Sequence, residues 1–372
     1  MNNTGLLLSK RIRKTPFTDR VRSAGVSGFT VVNHMLLPKG FLHTAEEDYW
    51  HLKKFVQIWD VSCQRQIQVC GPDSLALIQM TSPRYLKKIQ PGQCLYLPVT
   101  DENGGMLNDP VLLKIDEETY WLSIADSDLL LWLKGLSVGR SLKTRITEEN
   151  IFPIAIQGPR ADNLMTKIFG KKINTLPFFR FDWFSFCGKT QLIARSGYSK
   201  QGGFEIYFND PENGSILWDA LMKAGEEFNV RPGSPNLIER IEAGLISYGN
   251  DMTIENNPYE CGLGNFCNLD KADGYIGSNA LKKALNQGIQ KRIMGVLFEG
   301  LPCSNPETPW SVTVNDKESI GKITSAAYSP QLACNIGLAM ISKPFDKLGT
   351  IVEIKQSKNQ SEKGQLTTLP FS

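Results

Sequence analysis

The chain has 372 residues, 41% of them hydrophobic, and a formal net charge of +3. Its length predicts two or three domains, each with enough apolar residues for a core of its own. So small a charge argues against a nucleic-acid binder, and no apolar run approaches the roughly 18 residues of a membrane-spanning helix.

At the N-terminus Leu6-Leu7-Leu8 precedes Lys10, Arg11, Arg13 and Lys14. A secretory signal has the reverse order and a longer apolar run, so none is expected. With no aromatic residues interleaved, the basic cluster reads as a solvated arm. Thr44-Ala45-Glu46-Glu47 has capping-box form and predicts a helix running towards Trp59. A strand over 65–69 follows, then Gly71-Pro72 and a helical pattern through Leu75, Leu77, Ile78 and Met80. The order returns as a strand over 154–157, Gly158-Pro159 and a helix with Leu164, Met165 and Ile168, which hints at a duplicated α+β module.

Between the two copies, 94–99 leads into Thr100-Asp101-Glu102-Asn103-Gly104-Gly105, a strong hairpin signal. The return strand carries Asn108-Asp109-Pro110, and the proline biases Asp109 to extended geometry. On the residues alone Asp109 is either a turn stabiliser, the role slightly ahead, or a site residue. The eight cysteines (63, 70, 94, 187, 261, 267, 303, 334) form no CxxC pair and read as reduced thiols of a cytoplasmic protein. Histidines occur only at 34, 43 and 51, without metal-ligand spacing, so neither a metal centre nor a His-based nucleophile system is expected.

The stretch 195–207, Arg-Ser-Gly-Tyr-Ser-Lys-Gln-Gly-Gly-Phe-Glu-Ile-Tyr, reads as a hairpin, with period-two alternation on both sides of a glycine turn. If Phe204, Ile206 and Phe208 face a core, Glu205 and Tyr207 share the other face, roughly 7 Å apart. Two readings stand. Glu205, Tyr207, Tyr198 and Lys200 converge on a glycine-opened pocket, or the face is solvated and the turn flexible. Ser234-Pro235 is expected to cap a helix whose stripe is Leu237, Ile241, Leu245 and Tyr248, ended by Gly249. Arg240, at the border of that stripe, reads as an anchored structural side chain. A break at 286–291 separates a domain from residue 287 onward, with short strands over 294–298, 311–314, 320–324, 336–341 and 351–354 that predict a small β sandwich or barrel.

Several of these groups, in this order, resemble the folate-dependent aminomethyltransferase (glycine-cleavage T-protein) family. They are Asn103-Gly104-Gly105 with Asp109, Ile156-Gln157-Gly158-Pro159, Tyr198 with Gly203-Phe204-Glu205-Ile206, Arg240-Ile241-Glu242-Ala243-Gly244-Leu245, and Glu260-Cys261-Gly262-Leu263-Gly264. The likeness covers roughly residues 25 to 370. It implies an α+β fold, a three-domain ring with duplicated folate-binding modules (1–286) and a C-terminal small β-barrel domain (287–372). Three runs, over 33–38, 194–203 and 235–242, resemble the branch that demethylates dimethylsulfoniopropionate (DMSP). Val32 stands where that branch has a tyrosine, and Asn236 where the wider family has a folate-contacting arginine. Lys200 and Gln201-Gly202 replace the glycine and two acids of the aminomethyltransferase loop, which suits a small substrate carrying a carboxylate.

The resemblance implies tetrahydrofolate as methyl acceptor, with no metal, no nucleic acid and no membrane, and it admits a homodimer. Asp109 would be catalytic and would contact the folate, along with Tyr96, Tyr198, Glu205 and Tyr207. Lys200 and Tyr198 would bind DMSP. The alternatives are a glycine-cleavage aminomethyltransferase or folate-dependent amine demethylase, and a non-catalytic folate-binding protein. The Lys-Gly-Cys-Tyr-x-Gly-Gln-Glu stretch of the non-catalytic relatives is absent.

Overall fold

The computed structural model describes residues 8–270, 274–315, 318–357 and 360–371. It divides into two compact units, one comprising residues up to 67 with 148–197 and 201–235, the other 68–147, 198–200 and 236 onward. Leu6 and Leu7 lie outside the described residues. Lys10, Arg11 and Lys14 are exposed, whereas Arg13 shares the Glu148 carboxylate with Arg65 and is no free arm.

In the first unit six strands are ordered Phe181–Phe186, Lys189–Ala194, Gly203–Phe208, Phe152–Gln157, Val56–Asp60 and Val230–Gly233. All neighbours are antiparallel except the last pair, which is parallel. One face sets Ile193 beside Ile206 and Ile154, and Phe204 beside Ile156 and Ile58. Against that face pack Leu164 and Met165 of the Ala161–Phe169 helix and Leu217, Trp218 and Leu221 of the Gly214–Gly225 helix. Such apolar stripes on helices hold them to a sheet through area removed from water.

The helix expected to reach Trp59 stops at Lys54. Its start is as predicted, with the Thr44 hydroxyl accepting from Glu47 N–H and the Glu47 carboxylate accepting from Thr44 N–H. Phe55 then leaves helical geometry, and Val56–Asp60 alternates Ile58 into the core and Trp59 onto the opposite face. The strand–Gly–Pro–helix pattern recurs with one backbone conformation, Gly71 at φ +119° and Gly158 at +121°. A Cβ would lie 2.5 Å from the Lys143 carbonyl oxygen at the first and 2.2 Å from that of Phe55 at the second. Only glycine suits such a φ and such an approach.

The first copy's own strand, Gln66–Cys70, joins four strands that lie between the two copies in a five-stranded sheet, ordered Arg145–Glu149, Gln66–Cys70, Thr119–Ser123, Val111–Lys114 and Cys94–Tyr96. Beside it in sequence, Val99–Thr100 and Met106–Asn108 pair as the predicted hairpin. Asp101 Oδ1 accepts from the N–H groups of Asn103 and Gly105 and closes its turn. Farther along, six strands close a barrel, ordered Lys291–Phe298, Cys334–Ser342, Glu318–Ser329, Trp310–Val314, Ile351–Ser357 and Gln360–Thr367. The last strand escapes a hydrophobic pattern because only Leu366 among its residues is fully buried. The expected 286/287 boundary falls at the end of the Ser278–Gln287 helix.

The helix assigned to Ser234-Pro235 is shorter and starts later, as Leu237–Glu242. Asn236 is its cap, accepting from Glu239 N–H at 3.0 Å, while the Ser234 hydroxyl accepts instead from Gly40 N–H. Leu245 and Tyr248 lie past its end, and Gly244 at φ +66°, rather than Gly249, turns the chain.

Gly203, at φ +145°, would place a Cβ 2.1 Å from the Ile156 carbonyl oxygen and 2.7 Å from Gln157 Nε2. Gly203→Ala is expected to destabilise the protein by about 3 kcal/mol or more. Equilibrium urea denaturation checks this, and a loss below about 1 kcal/mol would mean that the neighbouring strand yields.

Candidate functional site

In the second unit the Met106–Asn108 strand ends at Asp109, and Pro110 directs the chain into Val111–Lys114. Asn108 pins this junction, accepting from Ala125 N–H and donating to the Ser127 hydroxyl at 2.7 Å. The neighbouring Cys94–Tyr96 strand pairs Tyr96 with Val111. The Tyr96 hydroxyl then donates to Asp109 Oδ2 at 2.6 Å. Asp109 Oδ1 is buried and has no hydrogen-bond partner among the described residues.

That environment decides the charge. Burial pushes the Asp109 carboxyl up to about 7, against the opposing pull of the Tyr96 hydrogen bond. Burial, with Asp109 beside it, pushes the Tyr96 phenol well above its ordinary value. The result is a carboxyl balanced between its two forms near neutrality, with one acceptor oxygen free for a ligand's N–H. Asp109 is therefore not the Asx-type turn stabiliser that its sequence context favoured.

Tyr198 lies in the same unit. Its hydroxyl is held by the carbonyl oxygens of Ile246, at 2.7 Å, and Leu245, at 3.3 Å. With the hydroxyl committed, what remains for a ligand is the ring. Burial keeps the phenol protonated, and Asp109, Arg240 and Asp251 all act on it electrostatically. The Leu245 carbonyl also accepts from Arg240, whose guanidinium pairs with Asp251 at 2.7 Å and donates to the Ser325 hydroxyl at 2.6 Å. Asp251 accepts from three more donors, Ser247 N–H, Thr324 Oγ1 and Ser325 Oγ, which complete its shell. Arg240 is thus the anchored structural side chain that its position implied. Lys200 is exposed, and it is its backbone N–H, not its ammonium, that bonds to the Glu239 carboxylate.

In the first unit Glu205 and Tyr207 do share a sheet face, but that face is not solvated: they are 5% and 1% exposed. Glu205 sits between Ala194 and Ala155 in the cross-strand row, with Trp59 next beyond Ala155. The two smallest chiral side chains flank the carboxylate. Its oxygen accepts from the Ser196 hydroxyl, and burial outweighs that bond to raise its pKa. Gly197, at φ +151°, lies so close to the Gln157 amide that a Cβ would meet Nε2 at 2.0 Å. The Gln157 amide in turn donates to the Ser196 carbonyl at 3.1 Å, which fixes the loop bearing the hydroxyl.

Within units, then, Tyr96 and Asp109 are brought into direct contact with Tyr198 nearby, and Glu205 and Tyr207 are neighbours on one buried face. Sequence reasoning missed Ser196 and Asp251. Ser196 lies in the 195–207 hairpin, and its alternation with Glu205 across the turn is a usable signal. Nothing local marked Asp251, whose partners Thr324 and Ser325 are 73 and 74 residues away.

Asp109 gives a pH-dependent prediction. Below about pH 4 the carboxyl is protonated whether the chain is folded or not. From there to about pH 7 the unfolded chain loses the proton while the folded chain keeps it, so this group's contribution to stability falls as pH rises, then levels off. Asp109→Asn removes that titration. Its melting temperature relative to wild type is expected to rise between pH 4 and pH 7 and to hold above; a difference independent of pH would mean that Asp109 ionises normally.

Comparison with known proteins places this geometry in a family. Residues 17–271 match the GCVT N-terminal domain, and residues 291–372 the glycine cleavage T-protein C-terminal barrel domain. The chain is 45% identical over 349 residues to the dimethylsulfoniopropionate demethylase DmdA of Ruegeria pomeroyi, covering 93% of this chain and 94% of that protein. It is 30% identical over 303 residues to an aminomethyltransferase of Caldanaerobacter subterraneus, covering 80% of each. The glycine cleavage system aminomethyltransferase T of Bartonella henselae shares the fold, with a TM-score of 0.86 at 22% identity over 97% of this chain and 98% of that one. The chain belongs to the glycine cleavage T-protein family of aminomethyltransferases.

Proposed function

We propose that this protein is a tetrahydrofolate-dependent methyltransferase that demethylates DMSP to 3-methylmercaptopropionate and forms 5-methyltetrahydrofolate. The observation that carries the reading is the Tyr96–Asp109 pair, a buried carboxyl near neutrality with one oxygen unpartnered among the described residues. The 45% identity to the Ruegeria demethylase, against about 30% to the aminomethyltransferases, selects the substrate.

The residues fit a reduced pterin. A free acceptor on Asp109 suits an N–H donor, and Glu205, with alanines on both sides, suits the paired N–H groups of an aminopyrimidine ring. Tetrahydrofolate, when bound, supplies the N5 lone pair that takes the methyl group. The S–CH3 bond breaks with its electrons left on sulfur, the N5–CH3 bond forms, and the N5 proton is released. Sulfonium is already a good leaving group, so the protein's work is alignment in a site with little water. Asp109 aims the acceptor and can receive its proton, because its pKa lies near the working pH. Tyr96 and Tyr198 offer ring faces to the sulfonium, worth roughly 0.5–2 kcal/mol each depending on desolvation. Tyr207, two residues along the same buried face from Glu205, is the further tyrosine of the folate site in this reading.

Incubating the purified protein with tetrahydrofolate and DMSP is expected to yield 5-methyltetrahydrofolate by mass spectrometry. No product, with turnover of dimethylglycine or of an aminomethylated carrier instead, would replace the substrate. Asp109→Ala is expected to lower kcat at least about 100-fold while changing tetrahydrofolate affinity little; equal losses would make Asp109 a binding residue only. Glu205→Gln is expected to weaken tetrahydrofolate binding about tenfold or more by calorimetry, and unchanged affinity would remove Glu205 from the pterin site.

A further inference from the structure

Arg84 is an unusual cation within the second unit. It is half-buried, in the segment after the Ser74–Met80 helix. Its backbone is fixed at both ends: Arg84 N–H donates to the Ser82 hydroxyl at 3.1 Å, and its carbonyl accepts from Gln79 Nε2 at 2.8 Å. The guanidinium donates through Nη1 to the Tyr96 carbonyl and lies over the Phe266 ring, its Cζ 5.1 Å from the centroid. Phe266 in turn packs against Tyr96, centroid to centroid 5.2 Å. The arginine is therefore built onto the residue that holds Asp109.

It has no carboxylate of its own among the described residues. Arg240 and Arg292, in the same unit, face Asp251 at 2.7 Å and Asp346 at 2.9 Å. Removing a guanidinium from water without an anion is costly, and that burial lowers the Arg84 pKa. Stacking on Phe266 uses one face of the plane and the Tyr96 carbonyl uses one donor. The other edge donors are left in the fork arrangement that matches a carboxylate.

We propose that Arg84 is the carboxylate-binding residue of this site, taking an anionic end of a ligand whose reacting end lies by Tyr96 and Asp109. This rests on the methyltransferase reading above, and it moves the carboxylate role from the exposed Lys200 to Arg84. Two ligands of that reading carry the chemistry, DMSP through its propionate and tetrahydrofolate through its glutamate.

The test uses the full-length protein with Arg84→Gln, which keeps a donor for the Tyr96 carbonyl, Arg84→Lys, which keeps the charge, and Lys200→Ala. The KM for DMSP is read from 5-methyltetrahydrofolate formation, and affinities for tetrahydrofolate and for a tetrahydropterin lacking the glutamate are read by calorimetry. If the propionate is held, Arg84→Gln raises the DMSP KM at least tenfold and leaves tetrahydrofolate affinity within twofold. If the glutamate is held, tetrahydrofolate affinity falls at least tenfold and that of the truncated pterin stays put. In either case Arg84→Lys recovers part of the loss and Lys200→Ala changes neither value more than twofold. The assignment is overturned if Arg84→Gln leaves both within twofold, if it weakens the truncated pterin equally, or if Lys200→Ala causes the larger loss. Wild-type protein that binds tetrahydrofolate but does not turn over DMSP overturns the proposed substrate, while the two calorimetric affinities still judge Arg84 on its glutamate arm.

Discussion

A carboxyl group buried with only half of its acceptor capacity used is the constraint on which this molecule turns. Asp109 has the Tyr96 hydroxyl on one oxygen and nothing among the described residues on the other. Folding alone would favour an apolar residue here, or a second donor. The surroundings show how the position is nevertheless held. Asn108 ties the strand end to Ala125 and Ser127, and Pro110 fixes the exit. Asp101 and the two glycines of the preceding turn set the register of the strand that delivers Asp109. The backbone is over-determined so that one side chain can remain under-satisfied.

Glu205 obeys a related rule in the other unit. The Gly203–Phe208 strand is buried on both faces, so neither of its sides is a surface. A carboxylate in such a strand survives if it has a donor and space. Ser196 is the donor, and Ala155 and Ala194 leave the space. The glycines at 197 and 203 let the loop and the strand approach Gln157 closely enough to hold Ser196 in place. Both carboxyls have raised pKa values for the same cause, desolvation, and both lie at the end of, or beside, a glycine-bearing hairpin. The glycines of the duplicated strand–Gly–Pro–helix units match in φ to within two degrees.

Much of this was legible in residues close together in the chain. The Thr44 capping box, both Gly-Pro junctions and both hairpins follow from local chemistry, and so does the anchoring of Arg240. The misreadings share a physical origin. Ser234-Pro235 and Asn236 each satisfied local rules for a helix start, and a contact to Gly40, nearly 200 residues away, decided between them. Trp59 was consistent with a helix until Phe55 broke the geometry and the Phe152–Gln157 strand paired with its neighbours. Gln360–Thr367 is a strand because the barrel needs closing, not because its side chains ask for it. The turn role for Asp109 was reasonable for an Asp before a proline, and Tyr96, thirteen residues back, is what overrides it.

The charge state of Asp109 also explains why so few groups need to take part. A sulfonium carries its full charge before the reaction and loses it as the methyl leaves, so a permanent anion beside sulfur would favour the starting complex over the transition state. An anion beside the acceptor nitrogen has the opposite effect, because positive charge grows there as the bond forms. Aromatic rings are the milder choice near sulfur, since their attraction to a cation is modest and falls as the charge leaves. A carboxyl with a pKa of about 7 is suited to the acceptor side, where it can turn from hydrogen-bond partner to proton acceptor without a large change in energy. On this argument the tyrosines and the aspartate divide the two ends of the transferred charge between them, and the burial that destabilises Asp109 is what fits it to its end.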